Sequence, residues 1–228
     1  MTHPERAVSA LRDGRLAVLP TDTVYGLACL ADNERAALDL YRLKGRSAIQ
    51  PTAVVFASLE RLFALVPGLP EDQADIVGAL LPGPYTFVVA NPERRYAWLG
   101  PDRPDAIGVR VPLLPAVTAG IVEQLGALVA TSANLPGGRD PRTLGEVPQL
   151  ILDGVTAAVD GGELPGTPST VIDLTAHEPV IVRAGAVDPA EALARIAAVR
   201  AGRPADPGSA GAGRSTAALP AGRGHPFE

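Results

Sequence analysis

Apolar runs in this chain are short, and several break off directly into a polar cluster. Residues 16–19 lead into Thr21-Asp22-Thr23, residues 127–130 run straight into Thr131-Ser132-Ala133-Asn134, and residues 107–111 stop at Pro112. Such runs, bounded by turn formers, read as buried strands because they are too short for buried helices. Further strands are expected over residues 53–57, 85–90, 155–159, 170–174 and 180–183. Between them lie segments with helical period. Ala7, Val8 and Leu11 share a face over residues 4–13, and Ala36, Ala37, Leu40 and Leu43 do so over residues 33–43, which delivers Lys44 just past the helix end. Other helices are expected over residues 59–65, 71–81, 116–125 and 147–152, the second of these stopped by Pro82-Gly83-Pro84. Asp188-Pro189-Ala190-Glu191 supplies a cap, an early proline and a reciprocal acid for a last helix to about residue 200. Residues 91–105, rich in Pro, Arg and Asp, read as an exposed excursion in which Arg94, Arg95 and Arg103 are solvated. Helices and strands interleave without a regular βαβ period, so a single α/β domain with a twisted, mostly mixed sheet and flanking helices is the expected fold.

Composition sets the limits on function. A chain of 228 residues that is 46% hydrophobic can fill one large core. Residues 1–200 are assigned to the domain, and residues 201–228 to a disordered tail, where Gly, Ala and Pro make up 17 of the last 28 positions. Cys29 is the single cysteine and His3, His177 and His225 are the three histidines, too few for a disulfide or a zinc cluster. No apolar stretch reaches the roughly 18 residues of a membrane span, and no charged leader precedes an apolar run, so a cytoplasmic protein without a membrane segment is expected. A net charge of −5 argues against a broad electrostatic footprint on nucleic acid.

Four polar clusters carry the candidate chemistry: Thr21-Asp22-Thr23, Lys44-Gly45-Arg46, Ser132-Ala133-Asn134 and Gly166-Thr167-Pro168-Ser169-Thr170. Arg110 and Arg183 end apolar strands, where an unpartnered charge must either reach solvent or meet an anion. Of the twenty lysines and arginines, Lys44 alone is lysine. A compact ammonium with rotatable donors does what a planar guanidinium fork does not. Together these cations and the neighbouring hydroxyls and amides describe an anion site suited to a nucleoside triphosphate or a carboxylate. The phosphate-loop signature, the dinucleotide fingerprint and the hydrolase elbow are all absent. Catalysis is therefore expected to rest on positioning and charge neutralisation.

In order along the chain, these pieces resemble the YrdC-like family of threonylcarbamoyl-adenylate synthases. The matching segments are Pro20-Thr21-Asp22-Thr23-Val24-Tyr25-Gly26-Leu27, Lys44-Gly45-Arg46 with Pro51 beyond, Pro82-Gly83-Pro84-x-Thr86 and Val109-Arg110-Val111-Pro112. Ala130-Thr131-Ser132-Ala133-Asn134, Ser169-Thr170-Val171 and Arg183-x-Gly185 follow, so the match spans residues 5–200. The resemblance implies a concave α/β domain whose open face holds ATP and L-threonine. It implies an enzyme that joins these with bicarbonate into threonylcarbamoyl-AMP, releasing pyrophosphate, with Mg2+ expected alongside the nucleotide. A downstream threonylcarbamoyl transferase then modifies a tRNA adenosine, so contact with tRNA is expected to be indirect or weak. By the same resemblance Lys44 and Arg46 are catalytic. ATP is held by Lys44, Arg46, Gln50, Ser132, Asn134 and Arg183, and threonine by Thr23, Arg110, Ala130 and Ser169; no metal ligand is implied.

The pattern departs from the family at Ser47, Gln50, Tyr85, Pro136 and Asp140. It departs most at Val55, where many members carry a histidine that helps bind threonine. These departures leave the phosphate side mostly intact and fall on the amino-acid side. A paralogue with a different acceptor and a non-enzymatic RNA-binding module stay open as alternatives.

Overall fold

The computed structural model describes residues 3–45 and 52–202. Seven α-helices occur among them: α1 (Pro4–Arg12), α2 (Glu34–Lys44), α3 (Leu59–Leu65), α4 (Glu71–Leu80), α5 (Ala116–Leu125), α6 (Gln149–Gly154) and α7 (Pro189–Ala201). The strands are β1 (Ala17–Pro20), β2 (Tyr25–Leu30), β3 (Val54–Phe56), β4 (Tyr85–Ala90), β5 (Ala106–Arg110), β6 (Ala127–Ser132), β7 (Ala157–Ala158), β8 (Thr170–Asp173) and β9 (Val180–Arg183). They form one sheet in the order β7-β1-β2-β6-β3-β5-β4-β8-β9. Three pairings are parallel, β1 with β7, β3 with β5 and β4 with β8, and the other five are antiparallel. The sheet is mixed, as expected.

Alternation along each strand divides the sheet into two unlike faces. On one face Tyr25, Leu27, Cys29, Val54, Phe56, Tyr85, Phe87, Val109 and Val129 join the main core with residues of α2, α3, α4, α6 and α7. That layer is continuous. On the other face a smaller cluster packs α1 and α5 over Ala17, Leu19, Ala28 and Leu128. Beyond β6 on this side only Val88 and Val171, with Ala106 and Val182, form a third small cluster. Among the described residues the middle of this face therefore stays open.

Helix ends are set by local chemistry. Asn33 caps α2 by accepting the amide of Ala36, and Gly45 closes it in the left-handed region at φ 65°, which glycine adopts without strain. Lys44 is thus the last residue of α2, not one beyond it. Asp188 caps α7 through the amides of Ala190 and Glu191.

The 91–105 excursion is not simply solvated. Asn91, Tyr96 and Leu99 are buried. The Asn91 side chain donates to the carbonyls of Arg95 and Pro104 and accepts from the Arg95 amide, which ties the loop into a folded unit. Arg103, expected to be solvated, donates to Asp173 at 2.8 Å. Among the described residues no helix is long and apolar enough to cross a membrane. From residue 203 onward the expected tail lies outside the described residues.

Candidate active site

The open face has a floor of small residues. Register places Gly26 opposite Ser132 and Ala28 opposite Ala130 on β2 and β6, and the Ala130 amide donates to the carbonyl of Ala53 at the entry to β3. Across the remaining strands one row shares this face. Val55 faces Arg110, Thr86 lies one step beyond the Phe87–Val109 pair and hence beside Arg110, and Val171 pairs with both Thr86 and Arg183. Small floor residues and tall polar walls leave a cavity of about 460 Å³.

Lys44 builds one end. Its Nζ donates to the Ser132 carbonyl at 2.6 Å, to Asn134 Oδ1 at 2.8 Å and to Ser132 Oγ at 3.2 Å. Ser132 Oγ also donates to Asn134 Oδ1 at 2.7 Å, and Asn134 Nδ2 donates to the Gly138 carbonyl at 2.7 Å. Three acceptors converging on one point suit a tetrahedral ammonium and not a planar fork. The helix carboxyl end adds a favourable negative potential for the cation. Lys44 thereby fixes the Ser-Ala-Asn turn and, through Asn134, the Leu135–Gly138 loop that lines the cavity.

The two arginines build the other end. Thr21 Oγ1 organises the Thr-Asp-Thr turn, donating to the Val24 carbonyl at 2.7 Å and accepting from the amides of Thr23 and Val24, each at 3.3 Å. This turn sets Asp22 against Arg110, whose Nη2 lies 2.9 Å from Oδ1 and 3.1 Å from Oδ2. The pair is mostly buried, with side-chain exposures of 12% and 9%. Arg183 donates through Nη2 to the Ser169 carbonyl at 3.0 Å and to its hydroxyl at 3.3 Å, and that hydroxyl lies 2.8 Å from Thr86 Oγ1. Gly185 makes this contact possible, because a Cβ there would collide with the backbone of Pro168 and Ser169. Burial lowers the Arg183 guanidinium below its ordinary value; the nearby Arg110 charge adds to this and Asp140 opposes it. The Nε atoms of Arg110 and Arg183 and the hydroxyl of Thr52 are buried without a hydrogen-bond partner.

Most expected residues meet here. Thr23, Lys44, Arg110, Ala130, Ser132, Asn134, Ser169 and Arg183 all line the one cavity. Arg46 and Gln50 lie outside the described residues. Arg110 has an internal carboxylate partner in Asp22 and also lines the cavity. Val55 is buried and sits beside Arg110 in register. Thr52, Ala53 and the Leu135–Gly138 loop also line the cavity but were not among the expected site residues; the Pro136-Gly137-Gly138 turn was the signal available for the loop. Burial pushes the Cys29 thiol up to about 12 and leaves it inert.

The Sua5/YciO/YrdC family model, described as telomere recombination, matches residues 9–185. The chain belongs to this family. A threonylcarbamoyl-AMP synthase from Pyrococcus abyssi is 33% identical over 193 residues, covering 83% of this chain but 56% of the relative. The chain thus spans little more than half the length of that curated relative. A threonylcarbamoyl-AMP synthase from Pseudomonas aeruginosa is 35% identical over 170 residues, covering 74% of this chain and 90% of the relative. The Pyrococcus abyssi Sua5 structure with L-threonine superposes at TM-score 0.75 and 32% identity, covering 85% of this chain and 57% of that one. Escherichia coli YciO superposes at TM-score 0.72 and 28% identity, covering 81% and 90%. The family's fold, a mixed sheet with helices on both faces, is therefore the fold of this chain.

Proposed function

We propose that this chain joins L-threonine, bicarbonate and ATP into threonylcarbamoyl-AMP and pyrophosphate. The observation that carries this reading is the convergence on one cavity of the Lys44–Ser132–Asn134 unit with Arg183, Ser169 and Arg110. Family membership and relatives named for this synthase support it. The threonine amine takes up bicarbonate, losing water, to give a carbamate. A carbamate oxygen attacks the α-phosphorus of ATP, the bond from that phosphorus to the bridging oxygen breaks, and pyrophosphate leaves.

Lys44, with Arg46, neutralises charge on the leaving group, while Ser132, Asn134, Arg183 and Gln50 hold the nucleotide. Arg110 takes the amino-acid carboxylate, with Thr23, Ser169 and the backbone at Ala130 completing the shell. Among the described residues no three His, Cys, Asp or Glu side chains gather round a metal position. Mg2+ would accompany the nucleotide and add to the charge neutralisation that Lys44 and Arg46 supply. The product passes to a partner transferase that acts on a tRNA adenosine.

Val55 favours a second reading, in which the acceptor is another amino acid and the chain is a paralogue. Likeness to YciO is compatible with it. Pyrophosphate release from ATP and bicarbonate, measured with and without L-threonine and then with other amino acids, decides between them. Release that requires threonine supports the first reading, and release only with another amino acid supports the second. No release, beside tight binding of structured RNA, overturns both in favour of a binding module.

A further inference from the structure

Arg110 and Arg183 stand three strands apart in one row, about 14 Å between backbones, and both side chains line the same cavity. Two guanidiniums so placed attract one polyanion unless something divides them. They are provided for differently. Arg183 donates to the neutral groups of Ser169, and the carboxylate that acts on it, Asp140, forms no hydrogen bond with it. Arg110 has a full counter-charge in Asp22, which bonds Nη2 through both oxygens and is itself only 9% exposed. Asp22 is not among the residues lining the cavity, whereas Arg110 is. Arg110 therefore meets Asp22 and lines the cavity as well. Among the described residues Arg110 Nη1 makes no hydrogen bond, and Nε is buried without one. Nη1 thus remains as a donor for a second carboxylate.

We propose that Asp22 is a positioning residue that divides the cavity into two anion subsites, fixing Arg110 for a singly charged carboxylate and withholding it from the polyphosphate. The pair Arg110–Asp22 is neutral overall, so a triphosphate gains little by moving toward it. A single carboxylate still gains a directed, charge-assisted hydrogen bond from Nη1 in the orientation that Asp22 imposes. The amino-acid part of this proposal rests on the synthase reading; the charge division does not.

The test is calorimetric titration of L-threonine and, separately, of inorganic pyrophosphate into the wild-type chain and into Asp22→Asn, at one ionic strength. L-Threonine affinity is expected to fall about tenfold, the scale of one lost charge-assisted hydrogen bond. Pyrophosphate affinity is expected to rise about fivefold, as removal of one nearby negative charge requires. Opposite movement of the two affinities is not produced by general loosening of the fold. The double variant Asp22→Asn/Arg110→Gln should lose the pyrophosphate gain, because the released cation is then gone. Should Asp22→Asn fail to fold, Asp22→Glu keeps the charge and shifts the carboxylate, and is expected to weaken threonine binding while leaving pyrophosphate affinity within about twofold. Pyrophosphate affinity that is unchanged or lower in Asp22→Asn, or that rises in Asp22→Glu, overturns the proposal. A wild-type chain that binds pyrophosphate but no L-threonine overturns the amino-acid reading alone, and the pyrophosphate comparison still decides the role of Asp22.

Discussion

The two faces of the sheet are built from the same strands, one residue out of phase, and they do opposite work. On β4, Phe87 is fully buried against the helix layer, while its neighbour Thr86 meets Ser169 in the cavity. On β6, Val129 belongs to the main core and Ala130 to the cavity floor. One phase carries large apolar side chains under five helices; the other, which among the described residues is covered in part by two helices, carries Gly, Ala, Thr and Arg around the cavity. Core packing and cavity lining are thereby separated by a single step along these strands, and a substitution at one of these neighbouring positions is expected to damage one more than the other.

Four substitutions can break or sharpen that contrast. Phe87→Ala should cost about 3–5 kcal/mol in urea unfolding, as truncation of a buried aromatic does. A cost under about 1 kcal/mol would mean that the closed face does not hold the fold. Lys44→Arg should lower threonine-dependent pyrophosphate release about a hundredfold, roughly 2.7 kcal/mol of transition-state stabilisation, because a planar fork cannot meet the three acceptors at one point. Its melting temperature should stay within a few degrees, and near-normal turnover in this variant would remove the special role of the ammonium.

Asp173→Asn tests the far edge of the open face, where a polar pin replaces apolar packing. Burial pushes the Asp173 carboxyl up, but hydrogen bonds from Thr175 and Arg103 outweigh it, so the group lies below its ordinary 3.8. A depressed carboxyl stabilises the fold above the unfolded value, and that stability is lost as pH falls through the folded one. The variant should therefore be about 2 kcal/mol less stable near neutral pH. Its stability curve should merge with the wild type in acid, and a constant difference across pH would show that packing, not charge, is at stake. Smallest is Ala130→Val on the cavity floor, which should change stability by under about 1 kcal/mol. On the proposed synthase reading it should still raise the KM for the amino acid about tenfold by filling part of the cavity. Equal loss of stability and affinity there would erase the distinction between the faces.

Much of this was legible in the sequence. Short apolar runs ending in Thr-Asp-Thr and Ser-Ala-Asn, and one beginning at Ser-Thr-Val, marked strands that adjoin turns, and the turns do border one cavity. Helical period located α2, and period together with the cap at Asp188 located α7. The 91–105 loop was misjudged because its prolines and arginines outweighed the apolar run Tyr96-Ala97-Trp98-Leu99, which turns back into the core. The Asp22–Arg110 pair was not legible, since 88 residues separate its members and neither has a local signature.

By itself the sequence determined which residues could be strand, which could be helix and which clusters were chemically capable, because propensity, capping and period-two patterning act within a few residues. Only the tertiary structure decided which alternate face the helices left open and that Lys44, at the end of one helix, meets Ser132 and Asn134 beyond a distant strand. It also decided that Arg110 and Arg183 are provided with different partners. Strand order and register bring those groups together, and they are settled by long-range pairing and packing that no local stretch of chain contains.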